Sequence, residues 1–434
     1  MARGGQAGFG ADGGAVYPSL VRVLPPQPSW RAKTIAIDDP GPLEAYLPER
    51  GWLAWLRRGE GVIGLGEAGR LEGATWDEAD AWWASFCDGL TTESELPGIG
   101  PMVFASFPFD SDNTGSHSVL VVPKLVIGHR RGQAWLTTIG PASESPVMPQ
   151  RTAGVIKPPR VTGVTSRSLD REQWQRIVAE GVERIERNGL SKVVLARGAE
   201  LAADTPIDPR WLVGVLADRY PSCWTYCVDG LVGASPEMLI RLEDGLAMSR
   251  VLAGTIRRSG AEELDLKLAH SLARSSKNLI EHELAVESVA AALAPFCSGM
   301  NVPDAPYVLE LPNVLHLASD VTAVAHDDVT ALRLAAELHP SAAVCGTPTA
   351  TARRAIAELE QLDRGRYSGP VGWMDATGDG EFAIALRCGQ LAEDRRTITL
   401  YAGCGIVAES DPAEEYAETQ AKLVPMLEAL GYTP

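Results

Sequence analysis

The 434-residue sequence predicts an α+β fold, in which antiparallel strands form the sheets and helices are not interposed regularly between them. Two observations support this prediction. The dipeptide Asp244-Gly245 separates two strand-like runs, 237–242 and 246–251, as the turn of a β-hairpin does. Near the end of the chain, three further runs follow one another through turns, without the crossover helices that a parallel sheet requires. These runs are 371–375, 381–387 and 397–407.

The composition excludes several classes of function. Hydrophobic residues make up 45% of the chain and charged residues 22%, which is typical of a globular protein with a large core. The net charge of −17, without a basic stripe, argues against a nucleic-acid partner. No apolar run reaches about 18 residues, so we expect no membrane span. Seven scattered cysteines favour separate thiols, and the absence of a signal-peptide pattern favours a cytoplasmic protein.

The sequence predicts four regions. Residues 1–14 are rich in glycine and alanine and are expected to form a flexible lead. Residues 15–140 mix short strands with a tryptophan-rich helix and contain no recognisable cluster of catalytic residue types. Residues 141–164 are rich in proline and are interpreted as a connection. Residues 165–434 carry all of the candidate functional residues.

Two helix starts are predicted from capping signals in this last region. Asp170 followed by Gln173 has the spacing of a capping box, and Gly189 is placed to end that helix. Thr347 is predicted to cap a later helix, with Pro348 as its first residue.

A short apolar strand, 191–197, follows the first of these helices. Strand alternation puts Lys192 on the same face as Val194 and Ala196. Such a lysine either extends to water from the strand end or is buried for a functional reason. The strand pattern alone favours extension to water.

The second strand of the hairpin is predicted to end at 253–255, where Gly254 permits another backbone to approach closely. A helical stretch from 262 to 293 follows and carries Glu281. The small residues one and two turns after Glu281 would leave room for a ligand, although they also suit close helix packing.

The last helix combines a clear start with a charged face. Asp411 can cap it and Pro412 suits its first position. Glu415, Glu418 and Lys422 then project from one side of the helix. Taken alone, this side is most simply a solvated surface. Together with Glu281 and the cations Lys192 and Arg387, it could instead hold a divalent metal ion and an anionic substrate.

Eight short motifs, in order along the last 270 residues or so, resemble those of the chorismate-utilising enzymes, and most closely those of the isochorismate synthases. They are SKVVLAR (191–197), SPE (235–237), LAGT (252–255), EHE (281–283), LHL (315–317), FAIALR (382–387), AGCGIV (402–407) and EYAETQAK (415–422). The overall sequence is most similar to the menaquinone-type enzymes of actinobacteria, whereas the N-terminal half resembles the variable half of the family only loosely.

The resemblance implies two facing antiparallel β-sheets flanked by helices, with the site between the sheets. It implies a Mg²⁺-dependent conversion of chorismate to isochorismate, for menaquinone or siderophore biosynthesis, without an obligate amidotransferase subunit. By position in the motifs, Lys192 is the base that activates water and Glu237 the acid that protonates the departing hydroxyl. The implied Mg²⁺ ligands are Glu281 and Glu418, with Glu415 bridged through water. The implied substrate-binding residues are Gly254, Thr255, His316, Ala343, Arg387, Gly403 and Lys422.

The residue chemistry suits these implied roles. A lysine is protonated at neutral pH unless burial or a nearby cation lowers its pKa from about 10.4, and burial would provide a usable base at Lys192. A desolvated Glu237 would keep a proton for the leaving hydroxyl. Mg²⁺ prefers one or two carboxylates together with waters and a substrate oxygen. Arg387 and Lys422 would attract the carboxylates of the substrate.

Two alternatives and one departure from the family's sequence pattern remain at this point. The amine-adding relatives carry glutamine where this chain has Lys192, so a lysine favours water as the nucleophile. Salicylate synthases share the lysine but tend to carry threonine where this chain has Ala343, which leaves salicylate synthase as the alternative enzyme. A catalytically silent chorismate-binding homologue is the alternative outside catalysis. Some relatives also have a carboxylate where this chain has Asn278, which weakens the case for an outer metal contact there.

Overall fold

The computed structural model describes residues 30–433, except residues 113, 144 and 153. It contains two large β-sheets and eight α-helices in these described residues, so the predicted α+β class is confirmed. The predicted flexible lead, residues 1–14, lies outside the described residues. All seven cysteines are free thiols, as expected, and none of the helices described is long and apolar enough to cross a bilayer.

The larger sheet, sheet A, has 13 strands and the smaller one, sheet B, has 10. Sheet A contains β1 (Trp30–Ile37), β2 (Trp52–Arg57), β3 (Glu60–Leu65), β5 (Thr91–Ser94), β8 (Leu125–Arg130), β9 (Gln133–Pro141), β10 (Val161–Arg167), β11 (Lys192–Ala203), β12 (Trp224–Val228), β13 (Leu231–Ser235), β19 (Gly346–Thr347), β22 (Cys388–Leu391) and β23 (Thr397–Ile406). Sheet B contains β4 (Gly69–Glu72), β6 (Met102–Ser106), β7 (Val119–Val122), β14 (Met238–Glu243), β15 (Leu246–Arg257), β16 (Cys297–Asn301), β17 (Tyr307–Glu310), β18 (Val314–Ala325), β20 (Pro370–Asp375) and β21 (Gly380–Ile384).

The helices cover the outer faces of the sheets. They are α1 (Trp76–Asp88), α2 (Arg171–Asn188), α3 (Pro209–Arg219), α4 (Glu262–Arg274), α5 (Ser276–Leu293), α6 (Ala331–Leu338), α7 (Thr349–Glu360) and α8 (Pro412–Ala429), with one 3-10 turn at Leu43–Tyr46. Among the described strands, every pair is antiparallel except β1 with β5. One core cluster joins Trp55 and Tyr226 of sheet A to Phe104 and Met238 of sheet B, so the two sheets pack face to face.

Both sheets continue from the N-terminal half of the chain into the C-terminal half. In sheet A, Trp55 of β2 is paired with Tyr226 of β12, and in sheet B, Phe104 of β6 is paired with Trp373 of β20. The described residues between Pro141 and Val161 form neither helix nor strand, and β10 begins inside the predicted connection. The two halves therefore share one layered core.

The capping signals gave the correct start for two helices. The Asp170 carboxylate accepts a hydrogen bond from the Gln173 N–H, the Gln173 side chain accepts one from the Asp170 N–H, and Gly189 ends α2 at a φ of 65°. The Asp411 carboxylate accepts hydrogen bonds from the first turn of α8, and Pro412 is the first residue of that helix. In both cases the signal depends only on residues within one turn.

Four other boundary predictions were wrong, and pairing with distant strands explains the first two. Thr347 is not a cap, because it lies in β19 and its backbone pairs with Lys192 of β11. Helix α7 begins only at Thr349. Strand β15 does not end at Gly254 but continues to Arg257 beyond a bulge there. The predicted helix 262–293 is two helices, separated at Ser275. The predicted strand 381–387 ends at Ile384.

A buried ion pair fixes strand β11 from the outside of sheet A. Glu360 accepts a hydrogen bond from the Ala196 N–H at 2.7 Å, and Arg364 forms an ion pair with Glu360. The Arg364 guanidinium also donates to the backbone oxygens of Val194 at 2.7 Å and Val344 at 3.0 Å. Because both charged side chains are buried and hydrogen-bonded, they hold β11 and the loop before β19 in one fixed relation.

Candidate active site

A cavity of about 560 Å³ lies between the two sheets, close to the points at which the chain passes from one sheet to the other. Eleven of the twelve candidate residues line it: Glu237, Gly254, Thr255, Glu281, His316, Ala343, Arg387, Gly403, Glu415, Glu418 and Lys422. The twelfth, Lys192, reaches one of these lining residues directly. The structure thus brings together residues that are far apart in the sequence, while the role of each one stays a prediction.

Lys192 is buried, with 1% of its surface exposed, so the interpretation that it extends to water is wrong. Strand alternation directs Val193 and Leu195 into the core beneath α2, which leaves Lys192 on the opposite face, toward the cavity. Its Nζ lies 2.9 Å from a carboxylate oxygen of Glu281. A Cβ atom at Gly405 would lie 2.7 Å from that oxygen, so the glycine makes room for the ion pair.

Glu237 lies where the chain leaves β13 of sheet A and enters β14 of sheet B. Ser235 fixes this crossing, because its hydroxyl donates to the Ile384 carbonyl at 2.6 Å and accepts from the Glu237 N–H at 3.2 Å. Burial raises the pKa of Glu237 to about 7, against a lowering by the backbone of Leu252 and by nearby cations that include Lys192. Near neutral pH this carboxyl group is therefore partly protonated and able to donate a proton.

Arg387 lies at the second crossing, between β21 and β22, in the left-handed backbone conformation with a φ of 49°. This conformation is uncommon for a non-glycine residue, and here it turns the chain so that the guanidinium lines the cavity. A terminal guanidinium nitrogen lies 3.3 Å from Nε2 of His316. On the other side of that ring, Nδ1 lies 3.1 Å from the hydroxyl of Thr255.

The charged side of α8 faces the cavity. Glu415 is buried, and Glu418 and Lys422 are mostly shielded and form an ion pair at 2.6 Å, so the interpretation of this side as a solvated surface is wrong. Lys422 also donates a hydrogen bond to the Gly403 carbonyl at 2.9 Å. Burial acts to lower the pKa of Lys422, but Glu418 outweighs it and the pKa is raised. Lys422 is therefore a permanent positive charge in the cavity.

The carboxylates fit the ligand chemistry of Mg²⁺. Glu281, Glu415 and Glu418 line one cavity, and oxygen donors are what this ion prefers. Within the residues described, no three acidic, histidine or cysteine side chains form a complete metal cage. Mg²⁺ does not need one, because it usually takes one or two carboxylates and keeps water or substrate oxygens as its other ligands. The ammonium groups of Lys192 and Lys422 lie beside Glu281 and Glu418, at positions that a metal cation could take instead.

The structure also adds residues that the sequence did not indicate. Tyr367 lines the cavity, and a Cβ atom at Gly403 would come within 3.2 Å of its hydroxyl. No local pattern marks this tyrosine, which lies in a turn before β20. The two residues that follow Glu281 in the EHE motif are not among the residues that line the cavity. His282 contacts the Ser319 hydroxyl at 2.8 Å and so connects α5 to β18, whereas Glu283 is exposed.

Comparison with known proteins gives a family and a fold. The profile of the family described as "Chorismate binding enzyme" matches residues 47–431. A Mycobacterium tuberculosis relative, provisionally named isochorismate synthase MenF, is 36% identical over 80% of this chain and 91% of its own length. Isochorismate synthase DhbC of Bacillus subtilis is 41% identical over 60% of this chain and 68% of its own length. The solved structure of MenF, the menaquinone-specific isochorismate synthase from Escherichia coli, has a TM-score of 0.78 at 24% identity and covers 94% of this chain and 96% of that one; at this identity it supports the fold alone.

The raised pKa of Glu237 predicts a specific dependence of stability on pH. In the folded protein the carboxyl keeps its proton up to about pH 7, whereas in the unfolded chain it loses the proton near its ordinary pKa of 4.5. Stability therefore falls as pH rises between these values, by roughly 3 kcal/mol from this group. The amide of Glu237→Gln has no proton to lose in this range. The free energy of unfolding of the variant minus that of the wild type should therefore increase from about pH 4.5 to about pH 7 and stay constant above it.

The measurement is urea unfolding of both proteins in EDTA at several pH values from about 4 to 8. Glu283→Gln, at an exposed position, is the matched control and should differ from the wild type by a nearly constant amount. A difference between Glu237→Gln and wild type that does not change with pH would contradict the assignment of a protonated Glu237.

Proposed function

The chain belongs to the chorismate-binding enzyme family, and we propose that it is an isochorismate synthase that uses Mg²⁺ to convert chorismate to isochorismate. The observation that carries the proposal is a cavity lined by Glu237, which is partly protonated near neutral pH, with the buried Lys192 in contact with another lining residue, Glu281. A lysine at position 192 suits water as the nucleophile, and Glu237 with a pKa of about 7 suits loss of a hydroxyl group. Water addition at C2 and hydroxyl departure at C4 need these two groups together.

In this reaction Lys192 takes a proton from water as the oxygen attacks the ring, and Glu237 gives its proton to the departing hydroxyl. Because Lys192 forms an ion pair with Glu281, it can act in this way only after that ion pair is broken and its ammonium proton is released to solvent, with water as its new hydrogen-bond partner. The backbone N–H of Glu237 is held by the Ser235 hydroxyl where the chain passes from β13 to β14, whereas Lys192 lies on β11, so the acid and the base are carried by different elements.

Chorismate carries two carboxylates, and two shielded cations of the cavity lining can bind them. Arg387 provides a planar guanidinium and Lys422 a point charge, both shielded from bulk water. Mg²⁺, held by Glu281 and Glu418 with Glu415 nearby, would supply further positive charge to a substrate carboxylate. Together these groups form a local cationic site in a protein whose net charge is −17.

We assign the product to menaquinone biosynthesis in the cytoplasm. The support is the 36% identity to the Mycobacterium tuberculosis relative, which carries the name MenF that is also used for the menaquinone-specific Escherichia coli enzyme. The proposal needs no amidotransferase subunit, because the nucleophile is water rather than ammonia. The retention of Lys192, Glu237, Glu281 and Glu418 around one cavity argues against a catalytically silent homologue.

The first test of the proposal concerns acid–base catalysis. Purified protein supplied with chorismate and Mg²⁺ should produce isochorismate, which chromatography detects. Lys192→Gln and Glu237→Gln should each lower turnover by roughly 100-fold or more, because each removes a proton-transfer group. Lys267→Gln, which changes an exposed lysine, should leave turnover unaltered. Near-normal turnover in Lys192→Gln would exclude Lys192 as the base.

The second test concerns the metal. EDTA should abolish turnover and added Mg²⁺ should restore it. Glu281→Gln and Glu418→Gln should raise the Mg²⁺ concentration needed for half-maximal activity, because each loses a charged ligand. The same variants should lose the stabilisation by Mg²⁺ that thermal unfolding of the wild type records. Glu283→Gln on α5 is the control. Full activity in metal-free buffer would overturn the metal assignment.

The third test separates isochorismate synthase from salicylate synthase. Salicylate formation requires a second step, elimination of the pyruvyl group, and relatives that perform it tend to have threonine at the position of Ala343. The methyl group of Ala343 lines the cavity and cannot donate a hydrogen bond, so this step lacks an interaction worth about 1 kcal/mol. A long incubation should therefore yield isochorismate without stoichiometric salicylate, which fluorescence detects. Ala343→Thr should increase the trace of salicylate, and stoichiometric salicylate from the wild type would refute this specificity.

A further inference from the structure

A short hydrogen-bonded chain, Thr255–His316–Arg387, crosses one wall of the cavity. Thr255 and His316 are directly opposite each other on β15 and β18, immediately after the bulge at Gly254. The Thr255 hydroxyl is 3.1 Å from Nδ1 of His316, and Nε2 of the same ring is 3.3 Å from a guanidinium nitrogen of Arg387. His316 and Arg387 are both buried, and all three residues line the cavity.

The donor and acceptor roles in this chain follow from Arg387. A guanidinium has only N–H donors, so the hydrogen bond between Arg387 and His316 requires Nε2 of the ring to be the acceptor. An imidazole nitrogen that accepts carries no proton, and the ring is then neutral with its single proton on Nδ1. Because Nδ1 is a donor, the Thr255 oxygen must accept. The hydroxyl proton of Thr255 is thereby left to point at another acceptor.

We propose that His316 is a positioning residue, which holds the Arg387 guanidinium and directs the Thr255 hydroxyl proton into the cavity as a donor to a substrate oxygen. Thr255 and Arg387 would then act together on an oxygen that only accepts, such as one of a carboxylate group. The identity of the substrate rests on the function proposed above, whereas the polarity of the chain rests only on the three side chains.

The electrostatic surroundings agree with a neutral ring that takes no part in proton transfer. Burial lowers the pKa of His316 well below its ordinary value, and the positive charges of Arg387 and Lys422 lower it further. A second cation on His316 would also remove the acceptor that Arg387 uses. Glu237, whose pKa is about 7, lines the same cavity and is better suited than His316 to proton transfer near neutral pH.

The first experiment detects the ring proton directly and needs no enzyme activity. Protein labelled with ¹⁵N-histidine is measured by long-range ¹H–¹⁵N NMR without substrate, and His316→Phe identifies the resonances of His316. The expected result is a neutral ring protonated on Nδ1, unchanged from roughly pH 6 to 8. A ring protonated on Nε2, or one that becomes cationic in this range, would overturn the proposal.

The second experiment measures whether the three residues act as one unit. Thr255→Val, which removes the hydroxyl but keeps the shape, should lower kcat/KM by about 10-fold or more, and Thr255→Ser should restore most of it. The double variant Thr255→Val/His316→Phe should be no worse than His316→Phe alone, because the hydroxyl has no fixed direction without the ring. Additive losses, or a failure of Thr255→Ser to restore activity, would overturn the proposal.

Two controls separate this proposal from protein stability and from the proposed function. Thr322→Val changes a half-buried threonine six positions along β18 from His316 and should leave kcat/KM unchanged. Thermal unfolding of each variant identifies losses of activity that come from misfolding, and His316→Asn, which keeps an N–H near Thr255, should retain more activity than His316→Phe. If the wild type makes no isochorismate, the proposed function fails, whereas the NMR result still decides the polarity of the chain.

Discussion

The constraint on which the site depends is that its charges lie between two packed sheets, where water solvates them poorly. Charges in such a position have to be paired, neutralised or hydrogen-bonded. Lys192 is paired with Glu281 and Lys422 with Glu418, whereas Glu237 holds a proton near neutral pH. Each arrangement also gives the residue a chemical property. Lys192 can be released from its partner, Lys422 is a permanent cation, and Glu237 has a proton to donate.

Because of the same constraint, the strand and the helix that carry these charges have to be held in fixed positions. Arg197 on β11 donates a hydrogen bond to the Thr419 hydroxyl at 2.9 Å, and its guanidinium lies over the Tyr416 ring at 4.6 Å. Thr419 is the residue directly after Glu418, so this contact joins the strand that carries Lys192 to the helix that carries the acidic residues. With the Glu360–Arg364 pair behind β11, the strand is fixed from two sides. A misplacement of about 1 Å in such a site can lower the rate by a factor of about 100.

The sequence predicted those features that depend on neighbouring residues. The helix starts after Asp170 and Asp411 and the hairpin turn at Asp244 were correct, because caps and turns are determined within a few positions. Thr347 was misassigned because a strand far away in the sequence pairs with it. The burial of Lys192 could not be predicted from strand alternation for the same reason: it depends on Glu281, which a distant helix brings within hydrogen-bonding distance. The resemblance to the family indicated which residues would lie together at the cavity, but it did not indicate the ion pairs among them.

The charge pairs also bear on selectivity for an anionic ligand. When Lys192 and Lys422 are paired with glutamates, the buried cation left without a carboxylate hydrogen bond among the described contacts of the cavity is Arg387, which lies against the neutral ring of His316. Arg257 also lines the cavity, but it is exposed. The potential that attracts an anion is therefore concentrated at one wall, next to the Thr255 hydroxyl. A ligand with one carboxylate can bind to Arg387 and the Thr255 hydroxyl alone. A second carboxylate beside Lys422 has to compete with Glu418 for that lysine, and positive charge brought to Glu418 would lower the competition. Binding of a dicarboxylate and binding of a cation should therefore assist each other, because both act on the same pair of side chains.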